Sequence, residues 1–205
     1  MKLSCTHGKQ TRTEWESKMS KYYTGVGSRN TPPEICVYMT QLATTLRDAG
    51  YILRSGHARG ADRAFEAGAE ESAEVYLPWK SFGTKPYKDD PGTPIQGRGI
   101  VADDMTSMRH FELYKKVCEN MGRSWGEFPR GVRMLTYRDM HQVIGNTEKS
   151  KPSDFLVCWT AAPGGTHYAM EAARLNYIPV FNIYDLGSLK TTLKILETVG
   201  RRNND

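Results

Sequence analysis

No stretch of this chain is long and apolar enough to cross a membrane. Residues 1–19 are polar and mixed in charge, without the apolar core of a secretory signal, so a cytoplasmic protein is expected. Cysteine is sparse: Cys5, Cys36, Cys118 and Cys158 form no Cys-x-x-Cys pair, and the spacing of a zinc site is missing. Cys36 and Cys158 sit among apolar residues and read as reduced core thiols. There is no internal repeat, no low-complexity tract and no dense run of Lys and Arg of the kind that forms a nucleic-acid arm. The expectation is no metal and no required cofactor.

What is present is glycine at particular places. Gly25-Val26-Gly27-Ser28-Arg29 closes one β-rich stretch, and Arg54-Ser55-Gly56-His57-Ala58-Arg59-Gly60-Ala61-Asp62 closes the next. Each run leads into a helical pattern. Glycine lets a backbone approach an anion closely, and the following helix aims its free N–H groups at it. Two such loops suggest a phosphate-bearing ligand, a nucleotide or a polynucleotide backbone. The net charge of +5 is in keeping with an anionic partner.

The 205 residues suffice for one domain with a sizeable core. The expected organisation is an arm over residues 1–20, one domain over 21–200 and a flexible tail over 201–205. Strands are expected at 22–26, 51–55, 74–77, 154–159 and 178–183, and helices at 31–50, 60–71, 164–175 and 185–199. Thr31 is expected to cap the first helix, with Glu34 three residues on. Strands alternating with helices imply an α/β fold with a Rossmann-like parallel sheet flanked by helices. Residues 80–151 break the alternation. They open as a polar Gly/Pro-rich loop and then carry helical patterns at 103–121 and 132–144, so a helical insertion between strands three and four is expected, placed to close over a ligand.

The two glycine loops, with Phe65 and Gly68, Tyr76-Leu77-Pro78-Trp79, Trp159-Thr160, Gly164-Gly165-Thr166 and Ile178-Pro179-Val180, resemble the SLOG superfamily. That superfamily joins the Smf/DprA DNA-processing proteins with the LOG nucleotide hydrolases, and the chain is most similar to its small stand-alone DprA-like members in phages. The resemblance implies a Rossmann-like fold that holds nucleotides or nucleotide-derived ligands at the carboxyl edge of the sheet. It also implies a homo-oligomer and, for a phage protein, a place in the host cytoplasm. LOG enzymes carry Pro-Gly-Gly-x-Gly-Thr-x-x-Glu. Here Pro163-Gly164-Gly165-Thr166 lacks one glycine, and Glu171 falls two positions late, rotated about 200° around a helix.

The candidate phosphate and ligand contacts are Gly25, Gly27, Ser28, Arg29, Ser55, Gly56, His57, Arg59, Gly60, Ala61, Asp62, Trp79, Thr160, Gly164, Gly165 and Thr166. Glycines there also serve tight turns, and the hydroxyls also cap helices. Arg29 can clamp an anion bidentately. Asp62, in a first helical turn, suits a ribose hydroxyl or the helix dipole. Trp79, beside Tyr76, offers a face for a base or a seal for the core. His57 and His167 flank glycine loops, and Arg138 and Asp139 sit on the second inserted helix, an exposed face unless it covers the ligand. Glu66 and Glu171 are the carboxylates available to a glycosidase.

Three functions stay open. One is a binder of a nucleotide or nucleotide-derived signal, cyclic or of ADP-ribose type, that sequesters it as a phage counter-defence protein without turnover. The second is DprA-like binding of single-stranded DNA in recombination, against which the missing basic runs and aromatic ladders count. The third is N-glycoside hydrolysis of nucleoside monophosphates, against which the displaced Glu171 counts.

Overall fold

Six short strands collect the apolar runs of the chain into one sheet: β1 (Lys21–Gly27), β2 (Tyr51–Ser55), β3 (Ala73–Leu77), β4 (Arg98–Val101), β5 (Phe155–Trp159) and β6 (Val180–Asn182). The computed structural model describes residues 20–88, 90–102 and 107–202. The strand order is β4-β3-β2-β1-β5-β6, and every pairing is parallel. The fold is a Rossmann-like α/β sheet flanked by helices, as the alternating pattern predicts.

Helices cover both faces: α1 (Pro33–Asp48), α2 (Ala61–Ala69), α3 (Met108–Asn120), α4 (Arg130–Ile144), α5 (Thr166–Leu175), α6 (Ile183–Leu186) and α7 (Ser188–Arg202). The two-residue period of the strands sorts their side chains between two cores. Phe155 and Val157 of β5 enter the core under α1 and α2, together with Tyr23, Leu53 and Phe65. Leu156 and Cys158 enter the opposite core, with Tyr114, Tyr137, Met140 and Ala173 from α3, α4 and α5. Burial lifts the Cys158 thiol to about 12, and Cys118 is lifted by the same cause, so both are inert core groups. Cys36 is half-buried, less enclosed than its neighbours in sequence suggest.

The segment 80–151 departs from expectation in two ways. Within it, residues 98–101 form β4, an added edge strand paired to β3. That strand has four residues, mostly exposed, so it lacks the apolar alternation that marks a strand in sequence. Its helices form one face layer of the sheet, because α4 packs on β1, β2 and β3 as well as on α3 and α5. Every residue from Thr136 to Ile144 is buried, which turns an expected amphipathic surface helix into a core helix. The described part of the first inserted helix is Met108–Asn120, and residues 103–106 of the expected span lie outside the described residues, as do residues 1–19 of the expected arm and 203–205 of the expected tail, whose residues 201 and 202 end α7.

Other boundaries also move. The cap position of α1 is Pro32, and no side chain caps the helix. The Thr31 hydroxyl donates instead to the Ser28 carbonyl at 2.7 Å, drawn back into the preceding loop. Helix α2 ends at Ala69, where Glu70 takes a positive φ of 53°. The last strand is shorter than the apolar run 178–183 because Asn182 accepts from Tyr184 N–H and starts α6 at Ile183. Gly187, at φ 69°, then separates α6 from α7, so the expected single closing helix is two.

Helices α1 and α2 meet at Gly68, where a Cβ would overlap the Thr40 carbonyl and touch the Ala43 methyl at 2.8 Å. The Thr40 hydroxyl donates to the Ala64 carbonyl at 2.9 Å across the same contact, so neither backbone can retreat freely. Gly68→Ala is expected to destabilise the fold by about 2 kcal/mol through overpacking. A urea midpoint equal to that of the parent protein would contradict this close approach.

Candidate functional site

The chain runs from β1 to β2, β3 and β4 on one side and then crosses to β5 and β6 on the other. The order therefore reverses between β1 and β5, and the loops leaving their carboxyl ends diverge there. Open parallel sheets bind ligands at such a point. A cleft of about 450 Å³ opens there, walled by Val26 and Gly27 from the end of β1 and by Trp159 and Thr160 from the end of β5. Helix α4 closes one side through Thr136, Arg138, Asp139 and Gln142.

The first glycine loop forms one rim. Ser28 N–H donates to the Trp159 carbonyl at 3.0 Å, which extends the pairing of β1 with β5 into the loop. Gly27 leaves no room for a side chain, since a Cβ there would lie 2.6 Å from the Ala61 methyl and 2.8 Å from the Trp159 oxygen. The Ser28 hydroxyl accepts from Asn30 N–H at 3.1 Å. Arg29 and Asn30 are exposed at the mouth, and both line the cleft.

The opposite rim runs from Thr160 to Thr166. Asn182 holds its base: the side-chain oxygen accepts from Thr160 N–H at 3.2 Å, and the side-chain nitrogen donates to the Thr160 carbonyl at 3.0 Å. The Thr160 hydroxyl donates to the Ala162 carbonyl at 2.9 Å. Gly164 and Gly165 are exposed, and a Cβ on either would meet nothing within 4 Å. Helix α5 starts immediately after them, and no side chain caps it. His167 and Tyr168 N–H donate to the Gly164 and Gly165 carbonyls at 3.1 and 3.0 Å, so the amides left open at the positive end of its dipole, among the described residues, are those of Gly164, Gly165 and Thr166.

The second glycine loop turns its donors inward. His57 N–H donates to Glu66 Oε1 at 2.8 Å, and Ala58 N–H donates to Asp62 Oδ2 at 3.3 Å. Ala61 N–H donates to the Ser28 carbonyl at 3.3 Å. The Ser55 hydroxyl donates to the Gly25 carbonyl at 2.8 Å. The carboxylates of Asp62 and Glu66 thus take the loop amides that a phosphate would otherwise use. Gly25 faces the core, where a Cβ would lie 2.7 Å from the Phe65 ring. Gly60, at φ 84°, sits against the Ser28 and Arg29 carbonyls and couples this loop to the first one. Gly25, Ser55, Gly56, His57, Arg59, Gly60 and Ala61 are absent from the cleft wall, whereas Ala58 and Asp62 are on it.

Beneath the cleft lies a buried polar cluster. The Arg138 guanidinium donates to the carbonyls of Gly56 and, at 3.2 Å, Tyr76. It lies 3.2 Å from Asp139 Oδ1 and 3.9 Å from Asp62 Oδ2. Gly56 is required by this arrangement, because a Cβ there would overlap the guanidinium. The Gln142 amide, oriented to satisfy its neighbours, donates to Asp139 Oδ1 at 3.0 Å and accepts from Gly56 N–H at 2.8 Å. Asp62 also accepts from Gly27 N–H at 3.2 Å, so it ties both glycine loops together. Burial lifts the Asp62 carboxyl to about 6, with Glu66 adding to the rise and Arg138 opposing it. Burial lifts Asp139 further, to about 7, again against the pull of Arg138 and with the help of Asp62. His57 is buried, which by itself lowers its pKa, but the hydrogen bond and charge of Glu66 outweigh burial and leave it raised.

The remaining candidates lie elsewhere. Glu66 is engaged by His57, whose Nδ1 lies 2.5 Å from Glu66 Oε2 and whose Nε2 lies 2.9 Å from the Thr93 carbonyl. Glu171 accepts from the Asn120 amide at 2.8 Å and lies 3.7 Å from Arg174. Neither glutamate is on the cleft wall. Trp79 packs edge-on against Phe82, away from the cleft, and Tyr76 is buried with its hydroxyl donating to Glu74 at 2.8 Å. His167 is half-buried beyond the wall. The sequence reading passed over Gln142, Thr136 and Asn30. The signal for Gln142 is its position four residues after Arg138, which stacks the two polar side chains one turn apart on the same face of the helix.

No protein-family model matches the chain, and no curated protein matches it. Among solved structures, DNA processing protein A from Helicobacter pylori, described for its single-stranded DNA binding mode, is similar with a TM-score of 0.52 at 14% identity. The match covers 81% of this chain and 66% of that chain, just under two thirds of its length. At that identity the likeness is one of fold: the chain has a DprA-like α/β architecture.

Proposed function

We propose that the cleft between β1 and β5 binds a nucleotide or nucleotide-derived small molecule, with its phosphate on the Gly164-Gly165-Thr166 rim facing Ser28 and Arg29. The observation that carries this reading is the uncapped start of α5 behind two glycines that leave open space. The open amides of Gly164 to Thr166 at a helix N-terminus make an anion site, and Arg29 across the mouth supplies a cation for the same group. A volume of about 450 Å³ is in the range of small-ligand sites. Glu66 and Glu171 are both engaged away from the cleft, which favours holding a ligand over cleaving an N-glycosidic bond. Membership of the SLOG superfamily, and sequestration of a nucleotide signal by a phage protein, are part of this proposal.

A second reading is single-stranded DNA. It is supported by the fold shared with DNA processing protein A from Helicobacter pylori, which binds such DNA. A nucleotide of the strand would then occupy the same cleft with its backbone phosphate on the same rim.

A thermal-shift panel of nucleoside phosphates, cyclic nucleotides, ADP-ribose species and short single-stranded DNA separates the two. A ligand that binds only the folded state raises the melting temperature by mass action. A shift from a small nucleotide that persists at 0.5 M salt, about a 3–5 Å screening length, supports the first reading. A shift from DNA alone, lost steeply with salt, supports the second. No shift from any of them contradicts both.

A further inference from the structure

Helix α7 is apolar on two opposite sides. Thr191 and Ile195, one turn apart, are fully buried, and Ile195 joins the core under α1 and α2. Thr192 beside them shares a hydrogen bond with the Tyr38 hydroxyl of α1. These contacts fix the helix on the body of the protein. Leu189, Leu193 and Leu196 lie about 150° round the helix from that side. They are 73%, 53% and 49% exposed. A surface helix carries polar residues on its outer side. A single exposed leucine there is ordinary, but a row of them is a contact surface. The row is spaced by four residues and then three, the spacing of a helix that packs lengthwise against another helix.

The charges beside the row select that second helix. Lys190 and Glu197 are both exposed and stand seven residues apart on one flank of it. When two copies of α7 lie row to row and antiparallel, this flank of one meets the same flank of the other, and Lys190 of one copy comes beside Glu197 of its partner. The two-fold axis repeats the pair, so opposite charges close the seam twice. Parallel helices would set this flank against the one that carries Thr192 and leave both charges unmatched. The surface is complementary to itself in one direction only.

We propose that α7 is the seam on which a second copy of this chain docks, as an antiparallel helix pair about a two-fold axis near Leu193, with Leu189, Leu193 and Leu196 interleaved and Lys190 paired to Glu197 across the seam. Helix α7 is held from behind by Ile195 and by the Tyr38 contact, so the row is presented before the partner arrives and little ordering is needed on docking. The contact is one helix per copy, at the small end of specific interfaces, so the dimer exchanges with monomer as concentration changes. None of the three leucines is on the cleft wall, so the seam leaves both clefts available and does not depend on what they bind.

The test is sedimentation velocity of the full chain over a concentration series from about 1 to about 300 μM, a range that brackets a weak helix-pair dimer. The parent protein is expected to pass from monomer to dimer across it. Leu193→Glu, which sets two carboxylates against each other at the axis, is expected to weaken the dimer by more than about 30-fold and leave a monomer. The position is already exposed, so the circular dichroism of that variant is expected to match the parent's. Lys190→Glu and Glu197→Lys, made singly, each set like charges across the seam and are expected to weaken the dimer by about 10-fold at low salt, and the two together to restore it. That rescue separates the antiparallel pairing from any other apolar contact. A parent protein that stays monomeric throughout overturns the proposal, whether residues 1–19 or another protein cover the row. A dimer that survives Leu193→Glu also overturns it, because the copies then meet elsewhere. Single reversals that weaken the dimer without rescue by the double reversal overturn the antiparallel register.

Discussion

Arg138→Met is expected to destabilise the protein by about 3–5 kcal/mol at pH 8, the cost of breaking a buried ion pair from one side. The side chain is 6% exposed and is the cation between Asp62 and Asp139. Without it two buried carboxylates face each other, and the Gly56 and Tyr76 carbonyls lose a donor. The cost is expected to shrink at pH 5, because the folded-state carboxyls, at about 6 and about 7 even with the arginine present, are then protonated. The same groups set a trend in the parent protein. A carboxyl whose folded pKa is raised holds its proton more tightly in the folded state than in the unfolded one. Its contribution is therefore present at low pH and is lost as pH rises through the folded value. His57, also raised, acts in the same direction. Stability is expected to decline between pH 5 and pH 8, whereas Asp90 and Glu148, whose pKa values are lowered, act only at lower pH. Urea unfolding of both proteins at pH 5 and pH 8 reads all of this. An Arg138→Met cost that is the same at both values would contradict the buried-cluster account.

Gly165→Asp is expected to separate binding from stability. The position is open, with nothing within 4 Å of a new Cβ, and its φ of −53° is one that any residue adopts. An acidic group at the start of α5 interacts favourably with the helix dipole, so the melting temperature is expected to hold or rise, by up to about 1 kcal/mol in stability. The same charge occupies the proposed phosphate position. Nucleotide affinity is expected to fall by more than 30-fold, about 2 kcal/mol. The opposite signs expected here point to the rim alone. Unchanged nucleotide affinity in a stable Gly165→Asp protein would place the phosphate elsewhere.

The sheet and most of its helices were legible because buried parallel strands read as continuous apolar runs between helical periods. What escaped the sequence has identifiable physical causes. Strand β4 is an exposed four-residue edge with no alternation. Helix α4 carries Arg138, Asp139, His141 and Gln142 into full burial, which a polarity-based reading assigns to solvent. Contacts of Arg138, Asp139 and Gln142 with one another, with Asp62, with the Tyr76 carbonyl and with the Gly56 loop make their burial tolerable, and His141 stacks on His110; these contacts span up to more than eighty residues of sequence, as the Arg138–Gly56 bond shows. The glycines were legible as turns, but not which anion their amides meet. The amides of Gly56, His57, Ala58 and Ala61 meet the protein's own Gln142, Glu66, Asp62 and Ser28, whereas the glycine pair at 164–165 leaves its own amides and that of Thr166 open.

The central claim is the location of the phosphate, and amide hydrogen exchange with and without a stabilising nucleotide tests it most directly. The account predicts slowed exchange at residues 164–166 and at Arg29, with the amides of Gly56, His57, Ala58 and Ala61 unchanged because their partners are internal. Protection centred on those four amides, with 164–166 unaffected, would contradict it.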